Sequence, residues 1–92
     1  MEKDINNLIL KLQKYKEKAF KFLKQEVEYI INNNIRDIPT IEHTLDLFLN
    51  IYEENAYTTF YKLIDYYANI DKQSSIFYEQ ELEKIYKVKR KS

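Results

Sequence analysis

The sequence predicts an all-α fold, a small antiparallel bundle of four helices, or of three if the middle pair is continuous. Two observations carry this. The first is punctuation: 92 residues hold no glycine and one proline, where average usage supplies about six and about five. Glycine serves tight turns and close backbone approaches, so a chain without it turns few corners. The second is periodicity, because apolar residues recur at steps of three and four over most of the length, which places them on one face of a helix. The predicted helices cover about 4–33, 38–53, 56–70 and 75–90, and residues 1–92 form one domain.

In the first helix, Asp4 is the expected N-cap. Ile5, Leu8, Ile9, Leu12, Tyr15, Ala19, Leu23, Val27 and Ile30 then form one apolar stripe, expected to face the core. Lys11, Lys14, Lys18 and Lys21 fall on the opposite face, a solvated side. Lys16 and Glu26 lie at the edge of the apolar side, where their stems can cover it. Asn32-Asn33-Asn34 ends the helix, since asparagine tolerates the left-handed closing conformation.

Asp37 or Thr40 caps the second helix, with Pro39 in its first turn, where the missing N–H costs little. Its stripe is Ile41, Leu45, Phe48 and Tyr52. After Glu53-Glu54-Asn55 the pattern resumes at Ala56, Phe60, Leu63, Ile64 and Tyr67. On one straight helix the apolar direction would swing by roughly 60–70° between these halves, so the reading is two helices or one bent helix. The stretch 60–70 confines its polar residues, Lys62, Asp65 and Asn69, to one narrow strip. Such a helix is central to a bundle or lies in an oligomer seam. Residues 70–75 make the next connection, and Ser74 or Ser75 caps a last helix through Tyr78, Leu82, Ile85 and Val88. Lys87, Lys89, Arg90 and Lys91 fall at its C-terminal end, where cations suit the helix dipole.

The net charge is zero but segregated: residues 1–25 carry +4, residues 26–83 carry −9 and residues 84–92 carry +5. Helices that offset one another in a bundle account for this, as does a basic end meeting an acidic partner, nucleic acid or an anionic membrane. Ile, Lys, Asn and Tyr make up 42 residues. All four are read from A/T-rich codons, which points to an A/T-rich genome, plasmid or phage. The absence of cysteine removes disulfides, thiolate zinc sites and cysteine nucleophiles. The charged N-terminus is a poor signal peptide. Apolar runs of about three residues fall far short of the roughly twenty that span a membrane. The expected location is the cytoplasm.

His43 is the single histidine, and Glu42, His43 and Asp46 lie within one turn. With no cysteine or second histidine, they make no usual zinc set. No serine stands on a nucleophile-elbow sequence. No catalytic, cofactor-binding or metal residue is therefore assigned, no cofactor is expected, and no small-molecule substrate is evident. Arg36 and His43, separated by six residues with Pro39 among them, resemble the arginine–histidine signature of HEPN-type ribonucleases. That resemblance implies RNA cleavage at a site built across a dimer. The lysine stripe and basic tail hold little arginine, so nucleic-acid binding would be weak, salt-sensitive and sequence-blind.

Residues 39–49 resemble the second helix of immunity proteins of pediocin-like (class IIa) bacteriocins, and residues 60–64 and 76–82 resemble their third and fourth helices. The resemblance implies a cytosolic four-helix bundle that protects its producer by blocking a bacteriocin–receptor complex at the inner membrane face. The expected function is thus non-enzymatic protein binding, with contact at a membrane protein. The alternatives are an inhibitor or regulator from a phage or mobile element, the ribonuclease, and the weak nucleic-acid binder. Candidate interface residues are Tyr57, Tyr61, Tyr66, Tyr67, Lys87, Lys89, Arg90 and Lys91. Homo-oligomerisation is expected, if at all, through the 56–70 helix.

Overall fold

The computed structural model describes residues 2–51 and 56–90, with side chains from Ile5 onward. Four helices make up the fold: α1 (Glu2–Asn32), α2 (Ile38–Leu49), α3 (Ala56–Ala68) and α4 (Lys72–Tyr86). There is no strand among the described residues. Helix α3 packs against each of the other three and α2 against each of the others, while α1 and α4 make no close backbone approach among the described residues. The bundle is therefore four-cornered, with α1 and α4 on one diagonal. Short connections, 33–37 and 69–71, turn the chain back on itself.

Side chains from all four helices build a single core. Leu23, Val27 and Ile30 come from α1, and Ile41, Leu45 and Phe48 from α2. Ala56, Phe60, Leu63, Ile64 and Tyr67 come from α3, the whole stripe expected there, and Tyr78 and Leu82 from α4. Phe48 and Phe60 meet edge to face, 5.7 Å between ring centroids, the arrangement favoured by the ring quadrupole. Two small hydroxyl residues share the interior. Thr44 donates to the Thr40 carbonyl at 3.1 Å and Ser75 to the Lys72 carbonyl at 2.7 Å, so neither leaves a polar atom unpaired.

The ends of the helices are set by local chemistry, which corrects several expected boundaries. Asp4 is not the N-cap of α1. It lies inside the helix, in the first turn where the dipole favours an acid. Asn34 closes α1 at φ 51°, and the Ile35 N–H reaches back to the Ile30 carbonyl at 2.9 Å. Asp37, and not Thr40, caps α2, accepting from the Thr40 N–H at 3.1 Å.

Helix α2 ends at Leu49, four residues before the expected end. The Asn50 side chain donates to the Asp46 carbonyl at 2.9 Å, its backbone N–H to the Leu47 carbonyl at 3.2 Å, and the Ile51 N–H to the Phe48 carbonyl at 3.2 Å. Tyr52, expected in the α2 stripe, lies outside the described residues. Helix α4 starts three residues early because Asp71 is its cap. Both Ser74 and Ser75 lie within the helix, and Ser74 donates to Asp71 through its N–H at 3.1 Å and its hydroxyl at 2.8 Å. Lys87, at φ 54°, takes the left-handed closing position at the other end. The chain leaves the helix there, so Lys89 and Arg90 are not the helix-end cations expected. Ile85 and Val88 do not extend the buried stripe of α4: Ile85 is exposed and Val88 lies beyond the helix, packed at the core's edge.

The largest correction concerns α1. Its 31 residues span about 46 Å at ~1.5 Å each, close to the molecule's longest dimension of 51 Å. The other helices have 12, 13 and 15 residues, and reach only about 18–22 Å. They cover α1 from Leu23 onward. Ile5, Leu8, Ile9, Leu12 and Tyr15, expected in the core, are exposed, because no described helix of the bundle is long enough to cover them. The part of α1 before Leu23 is an arm.

Candidate functional site

The residues expected to form an interface divide between bundle and surface. Tyr67 is 0% exposed, so it is core and not a contact residue of the free chain. Its hydroxyl donates to Glu42 Oε2 at 2.6 Å. Burial, helped by that hydrogen bond, pushes its pKa up to about 12. Tyr66 is half-buried, and its hydroxyl donates to the Ile35 carbonyl at 2.6 Å, pinning the α1–α2 connection to α3. Tyr57 is half-buried with its ring 6.3 Å from that of Tyr86. Tyr86 in turn donates to the Leu49 carbonyl at 2.6 Å, tying α4 to the end of α2.

Arg90 is spent inside the chain. Its guanidinium lies over the Tyr61 ring, 4.4 Å from the centroid. Its Nη1 meets Asp65 at 2.7 Å and its Nε meets Glu79 at 2.9 Å. Its backbone N–H donates to Glu83 Oε2 at 3.0 Å. The basic end is thereby folded back across α3 and α4. Tyr61, between Arg90 and Glu83, has its pKa pushed up to about 12, first by burial and then by the Glu83 charge. Lys87 and Lys89 are exposed. Lys91 lies outside the described residues.

The group around His43 is also divided. His43 itself is exposed. Glu42 accepts from Tyr67, while burial and the nearby Asp46 carboxylate both raise the pKa of Tyr78. The two carboxylates thus face tyrosines at the rim of the core. Arg36 lies in the connection before α2, outside any helix, and is exposed. No hydrogen bond or ion pair joins Arg36 to His43 among the described residues. Among those residues no group of three or more acids and histidines is placed to hold a metal ion. None of their helices is long and apolar enough to cross a membrane.

The arm of α1 supplies what the expected residues do not. Ile5, Leu8, Ile9, Leu12, Tyr15 and Phe22 are all about half exposed or more, on the face that continues into the core stripe. Monomers rarely expose a contiguous apolar patch larger than a few hundred Å². Where arm meets bundle, the face deepens into an open groove of about 650 Å³. Leu12, Tyr15, Ala19 and Phe22 line it from α1, and Leu47 and Ile51 from the end of α2. Lys16 and Lys18 stand at its margin. The small Ala19 side chain lets another backbone come close there. The signal for this surface was the mismatch between a thirty-residue helix and partners half as long.

No protein family, curated protein or solved structure matches the chain.

Proposed function

We propose that the chain is a non-enzymatic helical module that acts by protein–protein contact, with the apolar face of the α1 arm as its contact surface. One observation carries the reading: the large apolar side chains of the stripe from Ile5 to Phe22 stay about half exposed or more, although the same stripe is fully buried from Leu23 onward. A solvated helix has no use for half-exposed leucines and isoleucines at every turn, while a helix awaiting a partner does. Its concrete form is an immunity-type protein that acts in the cytoplasm and shields a membrane-protein target from a pediocin-like bacteriocin. The same surface would serve a small inhibitor or regulator of a larger protein.

The test is expression of the chain in bacteria sensitive to class IIa bacteriocins, followed by challenge. The expected result is protection by the native chain and its loss with Leu8→Glu plus Leu12→Glu. Both positions lie off the core, so the variant keeps its bundle. Killing of the native-expressing strain by every bacteriocin in a panel would sink the immunity form. Protection undiminished by the paired glutamates would sink the arm as contact surface.

A further inference from the structure

We infer that the partner seated on the α1 arm is the arm of a second copy of this chain, lying antiparallel to it. The inference rests on the arm being a contact surface, as proposed above, and names its occupant in the free protein; a target takes the second copy's place when the pair separates.

Shape decides against a flat occupant. From Ile5 to Ile30 the apolar stripe returns to the same direction within about 20°, at 100° per residue. The arm's apolar face and the buried face of α1 therefore point the same way, and the bundle stands on that side as a step. A planar lipid surface would meet the bundle before it met Leu8 or Leu12. What fits the corner is a rod about as thick as one helix and about as long as the arm.

The chain carries such a rod. Two arms side by side in parallel would bring both bundles to the same place, since each sits on the face being paired. Antiparallel pairing sets the bundles at opposite ends and lets each arm tip enter the other's groove. In the register that alternates the stripe positions, Leu8 lies against Ala19 of the partner subunit, a large side chain beside a small one. Ile5 then reaches the groove walled by Leu47 and Ile51. The exposed apolar surface of the stripe is roughly 700 Å², against about 800 Å² per partner in a standard stable interface. A two-fold pairing buries it on both copies at once and leaves no open edge for further growth. Charge sets the sign of the salt response. Lys16 and Lys18 stand at the groove's margin, and pairing brings the lysines of the two copies near one another, so the two arms repel mildly and added salt strengthens pairing. An acidic partner would give the opposite dependence.

Light scattering on the full-length protein after size exclusion, across a concentration series, is the experiment. The expected mass is twice that of the 11.3 kDa chain, with dissociation on dilution and tighter pairing at higher salt. Leu8→Glu plus Leu12→Glu returns the mass of one chain with the bundle's thermal transition preserved. The chain has no cysteine, so single cysteines report orientation cleanly. Mixed Leu8→Cys and Ala19→Cys chains should form the crossed disulfide roughly tenfold over the same-residue ones, because only antiparallel arms bring those positions within reach. A single-chain mass at every concentration overturns the pairing, as does a preference for same-residue disulfides. If the chain is monomeric yet the paired glutamates abolish protection, the second copy falls and the contact surface stands. If the glutamates split a dimer without touching protection, the pairing stands and the proposed function of the arm falls.

Discussion

The guanidinium of Arg90 lies 4.4 Å above the ring of Tyr61 and reaches carboxylates on two helices, Asp65 on α3 and Glu79 on α4. The third residue from the end of the sequence thus straps two helices that already pack together. Each ion pair is partly exposed, so each contributes only a fraction of a kcal/mol, and the cation–π contact about as much again. Arg90→Ala is expected to lower stability by about 1 kcal/mol, and by less in high salt. Arg90→Lys should restore less than half of this, because an ammonium cannot bridge two carboxylates and stack on a ring together. Denaturant titration at two ionic strengths measures both. No loss in Arg90→Ala would mean the strap is not populated in solution.

Tyr67 separates packing from hydrogen bonding. Its ring is wholly inside and its hydroxyl ends on Glu42. Tyr67→Ala is expected to cost about 3 kcal/mol or more, from lost burial and the cavity left behind. Tyr67→Phe keeps the ring and should cost about 1 kcal/mol. Glu42→Gln can still accept from the hydroxyl, so it should cost less than Tyr67→Phe. Equilibrium unfolding checks the order of the three. A loss below about half the predicted value for Tyr67→Ala would contradict the burial of that ring.

The tyrosines also set an alkaline limit. Tyr61 and Tyr67 are raised to about 12 from the ordinary value of 10.0, and Tyr78 is raised further by burial and Asp46. In each case the folded state holds the phenolic proton more tightly than the unfolded chain does. Their contribution is complete below pH about 10, where both states are protonated. It declines as pH rises from 10.0 toward 12, because the unfolded chain ionises first. Stability should therefore fall with pH across that window, and tyrosinate absorbance should rise in step with loss of helical signal. Tyr67→Phe should flatten part of the slope. A slope unchanged in that variant would remove Tyr67 as a contributor.

The α3 stripe was legible in the sequence because α3 is central: Ala56, Phe60, Leu63, Ile64 and Tyr67 are buried whichever neighbour each one meets. The change of direction between α2 and α3 was legible too, since one straight helix could not aim both stripes at a common core, but the pattern left two helices and one bent helix equally open. Helix ends were less so. Ser74 or Ser75 is the cap the sequence suggests, yet Asp71 holds that position, and its carboxylate accepts from the Ser74 N–H and hydroxyl. The fate of Arg90 was not legible, because a strap over Asp65 and Glu79 depends on the fold bringing α3 and α4 together. The arm was overread for a similar reason. Periodicity tells which face of a helix is apolar, while cover depends on the length of its neighbours.

That distinction gives one helix two behaviours on a single face. Leu12 is 53% exposed and Leu23 is 1% exposed, eleven residues apart on the same stripe. Leu23→Ala should cost about 2–5 kcal/mol at any protein concentration. Leu12→Ala should change the stability of the dilute chain by less than about 0.5 kcal/mol, as surface substitutions do. Hydrogen exchange reads the same contrast along the backbone. Amides of residues 23–30 should open only with global unfolding, whereas those of residues 5–18 belong to a helix without tertiary cover, marginal at that length. Pairing of arms supplies cover, so protection of residues 5–18 should climb with protein concentration while that of residues 23–30 stays constant. Uniform, concentration-independent protection along α1 would mean the arm is held by the bundle itself, and the division of the helix at Leu23 would fail with it.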